Sequence, residues 1–216
     1  MTEPPRVGVA RAARRAIAVG IDVAGPRKGC DVVALGPDLV AEPLGKVRGA
    51  AETATVLRTV APAVVAIDAP PEWADAGTRR ACEVELGRRG FSVFTTPDRA
   101  RGEASAFYAW MREGFAVFAG AAAAGCRALE TFPHAVAVAL RGERPPTGLL
   151  RDPRAKRAWR TGALEAAGVD HRALTTIDRI DAALCAVAGR ALLDGRAELL
   201  GDRPGLVLPS GATDDR

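Results

Sequence analysis

Two short stretches of the chain end in the same way, with one aspartate that follows an apolar run and precedes a break. Residues 19–26 carry Asp22, and residues 65–71 carry Asp68. A continuous run of small and β-branched apolar residues is typical of a strand buried on both faces of a parallel sheet. A carboxylate at the end of such a strand is costly to bury without a partner. Two of them at matching positions indicate that a cation binds between the strand ends.

Further acidic residues extend this pattern. A third apolar stretch, residues 126–133, runs into Glu130 and then a proline. Near the C-terminal end, a predicted helix opens with Asp178 and Asp181. Asp178 can be the N-cap, because its carboxylate can accept a hydrogen bond from an unpaired backbone N–H. Capping does not explain Asp181, which lies beside small residues suited to close packing on a sheet. The pattern therefore predicts a set of acids at one edge of the fold.

The elements around Asp22 are predicted to form an antiparallel meander. Strands are expected over residues 16–24, 30–35 and 39–47, joined by tight turns. A helix over residues 50–60 and a strand over 63–67 follow. A strand, helix and strand in succession imply a right-handed crossover, in which the new strand pairs parallel to one already in the sheet. If the crossover places the fourth strand beside the first, Asp22 and Asp68 lie side by side. They then occupy the carboxyl ends of the strands, where ligands bind in open α/β sheets.

The remaining segments are predicted to be mainly helical. Helices are expected over residues 78–89, 105–124, 134–140 and 153–167, and from residue 176 onward. The aromatic residues of the long helix are expected to pack against the sheet or an inserted subdomain, with a base-stacking platform as the alternative. The helix over 153–167 is basic on one face. A solvated face is the default for such a charge run, and contact with a phosphate backbone is the alternative.

The chain is predicted to be one domain with extensions. Residues 1–15 are expected to be a disordered basic extension, and residues 16–200 a single domain in which about 70–125 form an irregular, helical insertion. Residues 201–216 are assigned to a tail that contains the apolar run Leu206–Leu208. A length of 216 residues suits this organisation and can bury a sizeable core.

Composition is that of an ordinary soluble protein. Hydrophobic residues make up 48% and charged residues 26%. Arginine supplies most of the positive charge, and the chain is rich in both arginine and alanine. The net charge of +4 is therefore only weak evidence for nucleic-acid binding. The four cysteines are far apart, without a C-x-x-C, which argues against a zinc site and favours a reducing cytoplasm. No signal peptide is recognisable. The most apolar stretch, residues 115–124, is too short to span a membrane.

Several motifs, taken in their order and spacing, carry a resemblance to a known family. They are a Gly-Ile-Asp strand, a meander, an Ile-Asp-Ala-Pro strand, a Glu-Thr-Phe-Pro strand and a helix that begins Asp-Arg-Ile-Asp-Ala-Ala-Leu. Over residues 16–195 the chain resembles the ribonuclease H-like superfamily and, more closely, the DUF429 family of predicted nucleases with that fold. The start of the last helix also resembles the Holliday-junction resolvase branch of the superfamily.

The resemblance implies an α/β fold with a five-stranded mixed sheet in the order 3-2-1-4-5 and helices on both faces. It also implies an acidic cluster that binds Mg²⁺ or Mn²⁺. By position, Asp22, Asp68 and Asp181 match the first-strand, fourth-strand and last-helix acids, and Glu130 matches the Glu-x-x-Pro strand. Many ribonucleases H carry a glutamate on the helix after strand three. Here the acid available there is Glu52, at the helix start, and that role is not carried over to it.

The chemistry expected of such a cluster is phosphodiester hydrolysis of nucleic acid, DNA or RNA. Two divalent ions roughly 3.5–4 Å apart can activate water and neutralise the leaving oxygen, and they prefer carboxylate ligands. We expect Asp22 to bridge the ions and Asp68 and Asp181 to hold one each. Glu130 or Asp178 would complete a coordination shell or orient water. The candidates for phosphate contacts are Arg79, Arg80, Lys156, Arg157 and Arg160.

Two other classes of function remain open at this stage. Sugar kinases and actin-like ATPases use a similar sheet and acidic edge to hold Mg-nucleotide. The chain is short for their two-domain cleft, and it has no Gly-rich phosphate loop in its second half. A non-catalytic binding module that keeps the fold is the other alternative. Metal binding would separate these classes. Binding that depends on nucleotide would favour the kinase-like class, and binding without nucleotide would favour a nuclease. The absence of metal binding would favour a non-catalytic module.

Overall fold

The computed structural model describes residues 17–202 and 205–211, so the predicted extension over residues 1–15 lies outside the described residues. Seven strands form one mixed sheet. They are β1 (Ala18–Asp22), β2 (Cys30–Leu35), β3 (Ala41–Val47), β4 (Val64–Asp68), β5 (Ala128–Thr131), β6 (Ala197–Leu200) and β7 (Leu206–Pro209). The α-helices are α1 (Gly49–Val60), α2 (Ala81–Arg88), α3 (Arg99–Ala104), α4 (Ala109–Ala123), α5 (Pro133–Arg141), α6 (Pro153–Ala166) and α7 (Ile177–Leu193).

The strand order is β3-β2-β1-β4-β5-β7-β6. The first three strands pair antiparallel, β4 is parallel to β1, and β5 is parallel to β4. The predicted order 3-2-1-4-5 is therefore present. The predicted count of five is wrong, because β7 pairs with β5 and β6 closes the sheet as its antiparallel neighbour. The run Leu206–Leu208, assigned to a tail, is buried in the sheet because three consecutive apolar residues gain free energy by leaving water.

Helices cover both faces of the sheet, as predicted. On one face, Val19 and Ile21 pack with Leu57 of α1 and Val117 of α4. On the other face lies α7, with α5 and α6 in the same hydrophobic core. Because side chains alternate along a strand, this division places Asp22 on the same face as Gly20, towards α7.

Helix α7 approaches the sheet closely because both surfaces carry small residues. A Cβ on Gly20 would lie 1.9 Å from the carbonyl oxygen of Ala182, so only glycine fits there. Gly189 similarly faces Val64, at 3.1 Å for an added Cβ. The small-residue face predicted for this helix is thus confirmed, and its contact with β1 holds the start of α7 near Asp22.

The segment between β4 and β5 differs in detail from prediction. The helix expected over 105–124 begins with a 3₁₀ turn, Ala106–Tyr108, before α4. A short helix that was not predicted, α3, precedes it, and the Asp98 carboxylate caps that helix by accepting from the Arg101 N–H at 2.9 Å. Among the described residues, the helices are all too short or too polar to cross a lipid bilayer.

Candidate metal centre

Asp22 stands in register with an aspartate on each neighbouring strand. Its partner on β4 is Asp68, and its partner on β2 is Asp31. Side chains of directly opposed residues project from the same face of a sheet, so the three aspartates form a row on the side of α7. The predicted adjacency of Asp22 and Asp68 is confirmed.

Asp31 was missed in the sequence analysis. Its side chain is buried, with 3% exposure, and pairs with the ammonium of Lys46 from β3. The Arg179 guanidinium of α7 lies 3.7 Å from its other oxygen. The sequence contained a signal for the position of Asp31. The tight turn over residues 25–29 brings the start of β2, and with it Asp31, opposite the end of β1.

Asp22 and Asp68 have no such counter-ion. Within the described part of the chain, neither carboxylate forms an ion pair or accepts a hydrogen bond, and both are half-buried. Burial, followed by the negative charges of Asp68, Asp181 and Asp178, raises the pKa of Asp22 well above its ordinary value. Burial and then the charge of Asp181 raise the pKa of Asp68 to about 8, against the opposing charge of Arg160. These two carboxylates therefore repel each other across the strand ends.

The start of α7 supplies the other two aspartates. Its N-cap is Thr176, whose hydroxyl accepts from the Arg179 N–H at 3.3 Å. The interpretation of Asp178 as the cap is therefore wrong, because the helix begins two residues earlier than that role requires. Asp178 instead pairs with Lys28 at 2.7 Å.

Asp181 lies deeper and is held by the neighbouring helix. Arg160 of α6, itself only 5% exposed, donates to the Asp181 carboxylate at 2.5 Å. Burial raises the pKa of Asp181, and the charges of Arg160 and Lys156 oppose that rise. Electrostatic coupling to Asp22 and Asp68 places Asp181 in the same cluster.

Glu130, on β5, is enclosed by its own cation. Arg80 donates from both terminal nitrogens to the two Glu130 oxygens, at 3.0 Å for Nη1–Oε1. Burial raises the pKa of Glu130 to about 7, while the bond from Arg80 opposes this. Arg80 is consequently a buried structural partner and does not present its guanidinium to solvent.

The five basic residues predicted to contact phosphate thus fall into two groups. Arg80 and Arg160 are buried in ion pairs with acids of the cluster. Arg79 and Arg157 are exposed, and Lys156 is half-buried. The charge of Lys156 lowers the pKa of both Asp68 and Asp181, so its ammonium lies near the cluster.

Comparison with known proteins assigns the chain to a family. A family model described as "Protein of unknown function (DUF429)" matches residues 20–205. The chain belongs to the DUF429 family. No protein with a curated description matches it.

Two solved structures resemble this DUF429 chain. The Thermus thermophilus RuvC structure is 19% identical, with 79% of this chain and 90% of that chain covered and a TM-score of 0.41. The structure of T. thermophilus RuvC in complex with Holliday junction substrate is 21% identical, with 83% and 96% covered and a TM-score of 0.43. These TM-scores are too low to support an assignment of fold or activity.

The acids of this DUF429 chain fit a divalent cation in donor type. Asp22 and Asp68 offer hard carboxylate oxygens, and their mutual repulsion is relieved by a positive charge between them. Within residues 17–202 and 205–211, however, no three His, Cys, Asp or Glu side chains stand close enough together to hold a metal ion. Arg160 pairs with one oxygen of Asp181, and Lys28 pairs with one oxygen of Asp178. A third ligand from α7 would therefore use the other oxygen of either carboxylate, after a shift of that side chain towards Asp22.

A pocket of about 500 Å³ opens beside this edge of the sheet. Its lining includes the acids Asp68 and Glu130 and the aromatic residues Phe94, Phe107 and Trp110. In this DUF429 chain, Asp68 therefore borders a space large enough for a small organic group.

Proposed function

We propose that this chain is a metal-dependent nuclease that hydrolyses phosphodiester bonds of nucleic acid, on a ribonuclease H-like core. The observation that carries the proposal is the pair Asp22 and Asp68, opposed in register and without a counter-ion. Two half-buried carboxylates side by side repel each other until one takes up a proton or a cation binds between them. The sheet order 3-2-1-4-5 within the larger sheet supports the core that the family resemblance implies.

The ligands of the proposed site come from two elements. Asp22 and Asp68 would hold Mg²⁺ or Mn²⁺ from the strand ends, and Asp181, with Asp178, would contribute from the start of α7. The charges of Asp68, Asp181 and Asp178 all act on Asp22, so Asp22 would be the shared residue if two cations bind. A bound divalent cation supplies Lewis acidity and a nucleophilic water at neutral pH.

The surrounding residues would orient the reacting groups. Arg160 fixes the Asp181 carboxylate, and Arg80 fixes Glu130 at the end of the neighbouring strand. Glu130 would orient water from that fixed position. Lys156, Arg157 and Arg79 would contact phosphates of the bound strand, and such contacts position a nucleic acid without reading its sequence.

A cleavage panel tests the proposal. Single-stranded DNA, duplex DNA, RNA, an RNA–DNA hybrid and a four-way junction are incubated with the protein in Mn²⁺ and in EDTA. We expect cleavage of at least one substrate, dependent on Mn²⁺ and lost in Asp22→Asn. Cleavage that persists in Asp22→Asn purified in parallel would show a contaminating nuclease and would count against the assignment.

Calorimetric titration with Mn²⁺ separates this proposal from the other function classes. We expect Mn²⁺ to bind wild-type protein without nucleotide and to bind Asp22→Asn more weakly. Binding that requires ATP would favour a kinase-like protein. No binding of Mn²⁺ under any condition would favour a non-catalytic module with this fold.

A further inference from the structure

The pocket beside Asp68 is lined by aromatic residues that the rest of the fold does not cover. Phe94 is 69% exposed and Phe107 is 58% exposed, and their ring centroids lie 5.9 Å apart. Trp110 of α4 lies 6.1 Å from Phe94 and lines the same pocket. Large aromatic side chains left open to water around a concave site are typical of surfaces that bind a flat apolar group.

A buried carboxylate oxygen in the wall of this pocket lacks a partner. Glu83 of α2 is 4% exposed and lines the pocket. Its Oε1 accepts from the Thr96 N–H at 3.0 Å and from the Thr96 hydroxyl at 2.5 Å, and it lies 3.7 Å from the Arg80 guanidinium. Its Oε2 is buried and has no hydrogen-bond partner among the described residues. An acceptor left in this way costs free energy that an incoming N–H donor would recover.

A second pocket of about 380 Å³ shares the walls Phe94, Thr96 and Phe107. It is lined by Arg79 and Arg101, whose guanidinium groups are exposed and form no ion pair in the described part of the chain. Asp98 also lines this second pocket, so its lining carries two cations and one acid and has a net positive charge. An aromatic pocket with a hydrogen-bond acceptor thus adjoins a pocket that favours an anion. This pairing matches a nucleotide, which joins a planar base to an anionic phosphate.

We propose that the aromatic pocket binds a guanine base of the nucleic acid, with the ring against Phe94 and Phe107 and the N–H edge on Glu83. Guanine presents two adjacent donors, N1–H and the N2 amino group, to one acceptor oxygen. Adenine presents only its amino group on that edge, and uracil presents one N–H between two carbonyl oxygens that a carboxylate repels. The inference rests on the proposed function, because a base held beside Asp68 would bring its own strand to the acid pair.

Binding of mononucleotides in EDTA tests the inference without metal and without cleavage. GMP, IMP, AMP and UMP are titrated into full-length protein by calorimetry. We expect GMP to bind most tightly, IMP more weakly because it lacks the N2 amino group, and UMP least. Equal affinities for all four, or no GMP binding at millimolar concentration, would overturn the proposal.

Two variants and a matched control locate the site. Phe107→Ala removes an exposed ring and should weaken GMP binding about fivefold or more, the usual effect of losing one stacked aromatic. Glu83→Gln should reduce the preference of GMP over IMP. Leu199→Ala removes an apolar side chain of similar exposure (52%) on β6 and should leave GMP binding unchanged. GMP affinity that is the same in Phe107→Ala and wild type would overturn the proposal even if Glu83→Gln fails to fold.

The two proposals can fail separately. GMP binding at this pocket together with no cleavage of any substrate in Mn²⁺ would support the base pocket and count against the nuclease. Cleavage with no GMP binding would support the nuclease and overturn the base pocket.

Discussion

Asp22 has an aspartate on either side, and the two neighbours have opposite electrostatic surroundings. On β2, Asp31 is buried but held by Lys46 and approached by Arg179. On β4, Asp68 is half-buried and has no ion pair in the described part of the chain. Both stand directly opposite Asp22 on the same face of the sheet.

The difference separates a structural acid from a candidate ligand. A buried carboxylate with a cation in place is neutralised within the fold and has little need of another. A carboxylate that faces a second carboxylate without a cation is left for something outside the chain to neutralise. Along the row, Asp31 is thus paired within the fold, whereas Asp22 and Asp68 are candidate metal ligands.

The largest expected effect is a difference in cleavage rate between variants of Asp68 and Asp31. If the proposed nuclease activity is present, Asp68→Asn should lower the cleavage rate in Mn²⁺ at least about a hundredfold, because a ligand oxygen and its charge are lost. Asp31→Asn should retain most of the activity of whatever fraction remains folded. The measurement is the initial rate on the best substrate of the panel, corrected for folded fraction by circular dichroism. Equal losses in the two variants would contradict the distinction.

The same two variants should act in opposite directions on stability. Asp31→Asn weakens charge-assisted bonds to a buried group and should lower the free energy of unfolding by about 1.5–3 kcal/mol. Asp68→Asn removes a repelling charge and should leave the melting temperature equal or higher, by about 2–4 °C for each kcal/mol of repulsion removed. Urea unfolding and thermal melts at pH 8 in EDTA measure both. A clear loss of stability in Asp68→Asn would assign Asp68 to structure.

Both the stability of the protein and its affinity for Mn²⁺ should depend on pH through the protonation of Asp68. The pKa of Asp68 is raised from 3.8 to about 8, so between these values the folded state keeps a proton that the unfolded state has released. Stability in EDTA should therefore fall as pH rises from about 4 to 8, and Asp68→Asn should flatten that slope. Mn²⁺ must displace the same proton, so its affinity should rise with pH by up to about tenfold per unit until pH 8. Affinity independent of pH would contradict a site at Asp68.

The sequence could predict what the strand pattern determines. The bounds of β2 were predicted as they are observed, and the meander and crossover placed Asp22 beside Asp68. The small-residue surfaces of β1 and α7 were also recognisable, because only small residues allow such close approach. Strands β6 and β7 were missed because four-residue strands carry too little periodicity to distinguish from an apolar run in a tail.

The counter-ions could not be predicted in the same way. Arg80 and Glu130 are 50 positions apart, and Arg160 and Asp181 are 21 apart, so each pair depends on the packing of whole helices against the sheet. Both arginines were expected to contact phosphate, since an arginine in the sequence does not reveal whether it faces solvent or a buried acid. An acid that ends a strand is visible in the sequence, whereas the presence of its cation is a property of the fold.

The smallest expected effect is on the salt dependence of nucleic-acid binding, in variants of the basic residues of α6. Lys156 lies near Asp68 and Asp181, and the exposed Arg157 follows it. If both contact phosphate, Lys156→Ala and Arg157→Ala should each reduce the slope of log affinity against log salt by about 1 for a duplex or single strand. Arg88→Ala, on α2 and exposed, is the matched control and should leave the slope unchanged. A slope that is the same in all three variants and wild type would leave the acidic row as the proposed site and remove α6 from the proposed nucleic-acid surface.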